Sequence, residues 1–195
     1  MCKCSNCYRD DKLHHECGVL GIYGVEDAAG LAYYGLHALQ HRGQQGCGIV
    51  SVAPDGQFHR VKGDGLVSEV FNEQKIEALD GHLGMGHVLY TGAGARSLDN
   101  IQPFYFHHGT GDFALAHNGV LYNDTEVKAQ YRLPETPIET DSYAAVQMLE
   151  QYETLDSSTL KEVSEVLRGS FVFTVLRDDN TLFLARGNNP ITLYH

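Results

Sequence analysis

The sequence predicts an α+β fold with sheets inside and helices outside. Three observations carry this. Apolar strand pairs are joined by tight polar turns, which implies antiparallel sheet. Segments of helical periodicity cluster between those pairs instead of alternating with single strands. The chain has 195 residues, 43% of them hydrophobic, which suits one domain with a real core.

The elements follow in order. Gly18-Val-Leu-Gly-Ile-Tyr23 reads as a buried strand, stopped by Gly24. A helix is predicted from about Asp27 to His41, with Ala28, Leu31, Gly35, Ala38 and Leu39 at helical spacing and Tyr33 and Tyr34 in its core. The glycine-rich stretch Gly43 to Gly48 reads as a loop. Ile49 to Val52 and Gln57 to Lys62 form a hairpin around Pro54-Asp55-Gly56. Glu73 to Leu79 is a short helix, and Met85 to Tyr90 and Phe113 to His117 are strands. His107-His108, near Gly109, reads as a turn. Asn123 with Glu126 three residues on resembles a capping box, opening a helix to about Tyr131. Thr140 or Asp141 opens a helix with Ala145, Met148, Leu149 and Tyr152 on one face. Ser157 to Leu167 is a further helix, and Ser170 to Leu176 and Thr181 to Arg186 make a hairpin. There is no internal repeat and no low-complexity linker.

Composition narrows the function. A net charge of −11 lacks the basic footprint of a nucleic-acid binder. No apolar run reaches the roughly 18 residues of a membrane span, and the first residues are too polar for a secretory signal. Five cysteines, an odd number without such a signal, imply free thiols and a cytoplasmic location.

Cys17 stands directly ahead of the first strand, behind a leader of different character at residues 1–16. If the chain is cut after Glu16, the thiol gains an adjacent α-amine of pKa about 7.7–8.0. That amine can take the thiol proton and return it to a leaving group, with no catalytic histidine. A buried strand cysteine is the plain reading of any one Cys taken alone. Asn118-Gly119 taken alone is an ordinary turn, but the amide and the glycine N–H suit an oxyanion hole. Asp141 taken alone caps a helix, and Arg42 taken alone makes a surface ion pair worth under about 1 kcal/mol.

Seven segments, in order, change those readings: CGVLGIYG at 17–24, YYGLHALQHRGQQGCGIV at 33–50, KGDGLVSEVF at 62–71, MGHVLYTGAG at 85–94, NIQPF at 100–104, LAHNGVLYN at 115–123 and ETDSYAAVQML at 139–149. Together the chain resembles the class II glutamine amidotransferase domain of the N-terminal-nucleophile hydrolases, most of all the glutaminase half of the amidophosphoribosyltransferase type. The resemblance covers nearly everything from Glu16 onward. It implies a four-layer αββα sandwich, glutamine as substrate, ammonia as product and no cofactor. It implies Cys17 as nucleophile, Asn118 and Gly119 as oxyanion donors, Asp141 as partner of the substrate ammonium and Arg42 close to the nucleophile. Tyr90 and His117 fall with the substrate-binding motifs.

The chain also departs from that pattern. Leu89 stands where the family usually has an arginine that grips the substrate carboxylate, Gly92 lacks a customary hydroxyl, and Val120 replaces a second asparagine. Arg96 is the candidate to supply the lost cation. A non-catalytic relative that senses a ligand or binds a partner is therefore the second reading. Cys2, Cys4 and Cys7 with His14 and His15 carry zinc-ligand types, but CxCxxC has no second half, and no metal is expected. The expected organisation is a leader at 1–16 and a glutaminase domain at 17–195, without the final segment of that domain and without a phosphoribosyltransferase domain. Ammonia would then pass to a separate synthase domain or subunit, in purine-biosynthesis-like chemistry, and a homo-oligomer is left open.

Overall fold

The computed structural model describes residues 17–90 and 97–195. Two four-stranded antiparallel sheets lie face to face between helices. The first sheet has the order β1 (Gly18–Tyr23), β4 (Leu83–Leu89), β2 (Gly46–Val52), β3 (Phe58–Asp64). The second runs β5 (Phe104–His108), β6 (Gly111–Leu121), β7 (Gly169–Arg177), β8 (Thr181–Arg186).

Strand alternation sorts the side chains into layers. Val50, Val52, Leu83 and Met85 of the first sheet meet Ala114, Ala116 and Leu176 of the second, and these seven form the layer between the sheets. On the outer side of the first sheet lies α1 (Ala28–Leu39), with the short helices α2 (Val67–Val70) and α3 (Glu73–Glu77). Its Ala29, Ala32 and Leu36 pack on Cys47, Ile49 and Val88. The outer side of the second sheet carries α4 (Asp124–Gln130), α5 (Tyr143–Leu149) and α6 (Ser157–Val166). There Val146, Leu149 and Val163 cover Phe113, Leu115 and Phe173. The result is the expected four-layer αββα sandwich.

Caps open two helices, that of Asp27 where the sequence places a helix start and that of Asp156 found only in the structure. Asp27 accepts from Gly30 N at 2.9 Å and opens α1, and Asp156 accepts from Ser158 and Thr159 to open α6. Other expectations are corrected. The buried face of α1 is Ala28, Ala29, Ala32 and Leu36, while Leu31 and Ala38 are exposed and Tyr34 is 70% exposed. Gly35 decides this rotation, because a Cβ there would come within 2.5 Å of Leu20. Gly46, Cys47 and Gly48 belong to β2 and not to a loop. Their glycines serve close approach: a Cβ on Gly48 would lie 2.4 Å from the Gln102 carbonyl. His107 and His108 lie in β5, an element the turn reading passed over. Asn123 makes no side-chain cap; its Oδ1 accepts from Arg168 N at 2.8 Å and its Nδ2 donates to Val166 O at 3.1 Å, tying α4 to the α6–β7 corner. The leader, with Cys2, Cys4, Cys7, His14 and His15, lies outside the described residues.

Candidate active site

The site is assembled at one end of the gap between the two sheets. Cys17 enters β1. Gly18 pairs with Val88, so extending the register by one residue sets Cys17 opposite Leu89. The half-buried thiol sits on the turn out of β4: Tyr90 N–H donates to Cys17 Sγ at 3.3 Å, and Sγ is 3.6 Å from Tyr90 O. Arg42 lies in a single 3-10 turn after α1 and donates from Nε to the Cys17 carbonyl at 3.1 Å. That turn is fixed by Gln40, whose side chain donates to Gly43 O at 2.5 Å and accepts from Val67 N at 2.7 Å.

Burial pushes the Cys17 thiol up to about 11. The charge of Asp141 adds to the rise, whereas the Tyr90 amide and the Arg42 guanidinium oppose it. The resting group is therefore a neutral thiol at pH 7.

Asn118 and Gly119 were expected after a strand. They lie within β6, opposite Val172 and Phe171 of β7. Gly119 has φ +142°, and a Cβ there would fall 1.9 Å from the Ser170 carbonyl. Only glycine fits so close a crossing with that backbone. Asn118 shares the inner face of the sheet with Ala114 and Ala116, and its buried Oδ1 has no hydrogen-bond partner among the described residues. Asn118 also borders a cavity of about 400 Å³ walled by Val19, Leu39, Thr174 and Ile191. Asn189, in the segment after β8, donates to the Asn118 carbonyl at 3.0 Å and accepts from Ser170 Oγ at 2.5 Å. No sequence pattern marked Asn189, because its partners lie 71 and 19 residues away.

Asp141 stands before α5 and does not cap it; Ser142 holds the cap position. Its carboxylate accepts Leu121 N at 2.6 Å and Ser142 N at 2.8 Å. Burial raises its pKa, and these two N–H donors counter the rise. A half-buried carboxylate whose charge is felt at Cys17 is suited to an ammonium group.

His117 is placed differently from expectation. It is 3% exposed and its ring lies 5.1 Å from Phe173, in the helix-covered layer. Alternation along β6 turns its side chain away from the face that carries Asn118. Tyr90 meets Cys17 through its main chain. Arg96 lies outside the described residues, as does Gly92. Among the described residues, no three His, Cys, Asp or Glu side chains group as metal ligands, and no helix is long and apolar enough to cross a membrane.

Known proteins share this fold. Residues 95–194 match the family described as "Glutamine amidotransferase domain". The chain belongs to that family. The Bacillus subtilis amidophosphoribosyltransferase is 39% identical over 172 residues, which are 85% of this chain and 36% of the relative. The chloroplastic amidophosphoribosyltransferase 1 of Arabidopsis thaliana is 51% identical over 120 residues, covering 62% of this chain and 21% of that protein. The solved glutamine phosphoribosylpyrophosphate amidotransferase of B. subtilis, complexed with ADP and GMP, superimposes with a TM-score of 0.77 at 32% identity. That match covers 86% of this chain and 36% of the other. The amidotransferase domain thus has an N-terminal-nucleophile hydrolase fold and spans only about a fifth to a third of such relatives' length.

Proposed function

We propose that this domain releases ammonia from the side-chain amide of glutamine, with Cys17 as nucleophile once residues 1–16 are removed. The observation that carries the reading is the seat of Cys17: its thiol rests on the Tyr90 amide, its carbonyl accepts from Arg42, and the charge of Asp141 is felt at its sulfur. The freed α-amine takes the thiol proton, and Sγ adds to the amide carbon. Asn118 and the Gly119 N–H hold the oxyanion. The intermediate collapses, the amine returns the proton, and ammonia leaves a thioester. Water then gives glutamate and restores the thiol. Asp141 holds the substrate ammonium, and Arg42 fixes the Cys17 peptide so that the thiol points into the gap.

Ammonia then passes to a phosphoribosyltransferase domain or subunit, as the relatives' names suggest for the purine-biosynthesis enzymes. Glutamate release by protein that begins at Cys17 tests the reading, beside a Cys17→Ala control. Cysteine-dependent turnover is expected; equal turnover in the control would refute the assignment.

A second reading rests on Leu89. It is 6% exposed, and by register it sits across from the nucleophile where a cation is expected. A domain that keeps the fold but grips glutamine poorly would serve as a sensing or partner-binding module. No turnover at high glutamine, with a confirmed N-terminal cysteine, would favour it.

A further inference from the structure

Past Leu115, β6 has no paired strand on one side among the described residues, because its pairing with β5 ends at Phe104 opposite Leu115. The strand nevertheless runs on to Asn118 and Gly119. Side chains replace the missing ladder at His117. Gln102 Oε1 accepts the His117 N–H at 2.6 Å, and His87 Nε2 meets the His117 carbonyl at 3.0 Å. The other end of the Gln102 amide reaches the Asp141 turn: Nε2 donates to Ser142 Oγ at 3.3 Å. Ser142 Oγ passes its own proton to Thr140 Oγ1 at 3.2 Å, and Ser142 N–H holds Asp141 Oδ1 at 2.8 Å. Both Gln102 and Ser142 are buried, at 3% and 1% exposure. The accounting fixes the amide orientation, since an N–H needs an acceptor and Ser142 already donates elsewhere.

We propose that Gln102 is a positioning residue that sets the span between the oxyanion donors and the carboxylate that receives the substrate ammonium. The inference rests on the proposed glutaminase reading. Glutamine is a ligand of fixed length, and the two groups that hold its ends sit on different elements, β6 and the turn before α5. One buried side chain bridges them. The bridge matches the site to glutamine over the shorter asparagine, because relaxing the span lets Asp141 drift relative to Cys17. Its two arms have separable effects. The arm to His117 holds the oxyanion strand and governs kcat. The arm to Ser142 holds Asp141 and governs KM and the choice of amide length.

The test uses the full chain with Cys17 as its first residue, wild type beside Ser142→Ala and Gln102→Leu. Ser142→Ala removes the arm to Ser142 together with the Ser142–Thr140 hydrogen bond. It is expected to raise the KM for glutamine about tenfold with kcat within about twofold, and to narrow the preference over asparagine. Gln102→Leu is expected to lower kcat as well, by about thirtyfold or more. A purely structural role would lower the fraction of active enzyme and leave KM and amide preference unchanged, and that result overturns the inference. Labelling of Cys17 by a glutamine-shaped diazoketone, relative to iodoacetamide, gives a readout independent of turnover; Ser142→Ala should lose that selectivity. Wild-type protein with neither turnover nor selective labelling would overturn the glutaminase reading and this inference with it. Wild-type activity with an unchanged Ser142→Ala KM would overturn this inference alone.

Discussion

Cys17 is held as a neutral thiol by its surroundings, and in the proposed mechanism its activation comes from the α-amine that cleavage after Glu16 would free. Burial and the nearby Asp141 place its pKa at about 11. Cleavage after Glu16 would set an ammonium beside the sulfur, which favours the thiolate and moves the pKa down. The rate of iodoacetamide alkylation against pH should therefore shift by at least about one unit toward neutrality on removal of residues 1–16, with the amine and thiol titrating as a pair. Cys47 stays silent because burial pushes it to about 12, and Cys2, Cys4 and Cys7 are changed to serine in the unprocessed protein, the processed one having lost them. Identical profiles would mean that the amine does not act on the thiol. Leu89 is the other residue whose chemistry sets activity. Its register position opposite Cys17 puts any side chain there beside the reacting centre. Leu89→Arg should lower the KM for glutamine by about tenfold to a hundredfold through a bidentate carboxylate contact. The same change should lower Tm without substrate, since a guanidinium is then buried unpaired, and glutamine should restore it. An unchanged KM would place the substrate carboxylate elsewhere.

Single strands carry two further consequences. In β6, Gly119→Ala would drive a Cβ into the Ser170 carbonyl at a φ of +142°. The chain must open the β6–β7 ladder to accept it, at a cost of about 2 kcal/mol or more, and thermal unfolding should show a clear loss of Tm. In β4 and β6, His87 and His117 are buried, and their pKa values are lowered by burial to about 3 and about 4. The unfolded chain binds their protons near pH 6.5, before the folded chain does. Their contribution is therefore complete above about pH 6.5 and is lost as pH falls toward about 4 and then about 3. Between pH 6 and 4 each should cost about 1.4 kcal/mol per pH unit, read as a falling urea midpoint. A midpoint equal at pH 7 and pH 5 would contradict the buried neutral state. The element scale also shows what the sequence made readable. The β7–β8 hairpin and the start of α1 at Asp27 were legible because their signals are local. β5, the strand character of Gly46 to Gly48 and the true face of α1 were not, since each depends on a distant surface: Phe113, the Gln102 carbonyl and Leu20. The site divides the same way. Cys17, Asn118, Gly119, Asp141 and Arg42 stood out by motif resemblance, while Gln102 and Asn189 act through contacts that only folding creates.

The whole molecule places the halves of its chemistry on different sheets. Cys17, Tyr90 and Arg42 belong to the first sheet and its turns, whereas Asn118, Gly119 and Asp141 belong to the second and its connections. In the proposed mechanism the thickness of the layer between the sheets sets the distance from nucleophile to oxyanion donor. That layer is thin by composition. Ala114 and Ala116 are fully buried in it, facing Val50, Val52, Leu83 and Met85. Ala116 lies two residues before Asn118 on the same face, so added volume there acts next to the site. Ala116→Val should cost about 1–3 kcal/mol by overpacking and press the sheets apart. A displacement on the order of 1 Å at a reacting centre is enough for about a hundredfold loss of rate. The matched control is Val163→Ala in α6, which opens a cavity in the outer helix layer at a similar cost, about 1–3 kcal/mol. Both variants should lose Tm to a comparable degree. Only Ala116→Val should lose kcat, with KM nearly unchanged because the Asp141 turn is untouched. Equal kcat in the two variants at matched stability would show that the spacing of the sheets does not set the catalytic geometry, and that the site is held instead by its own turns.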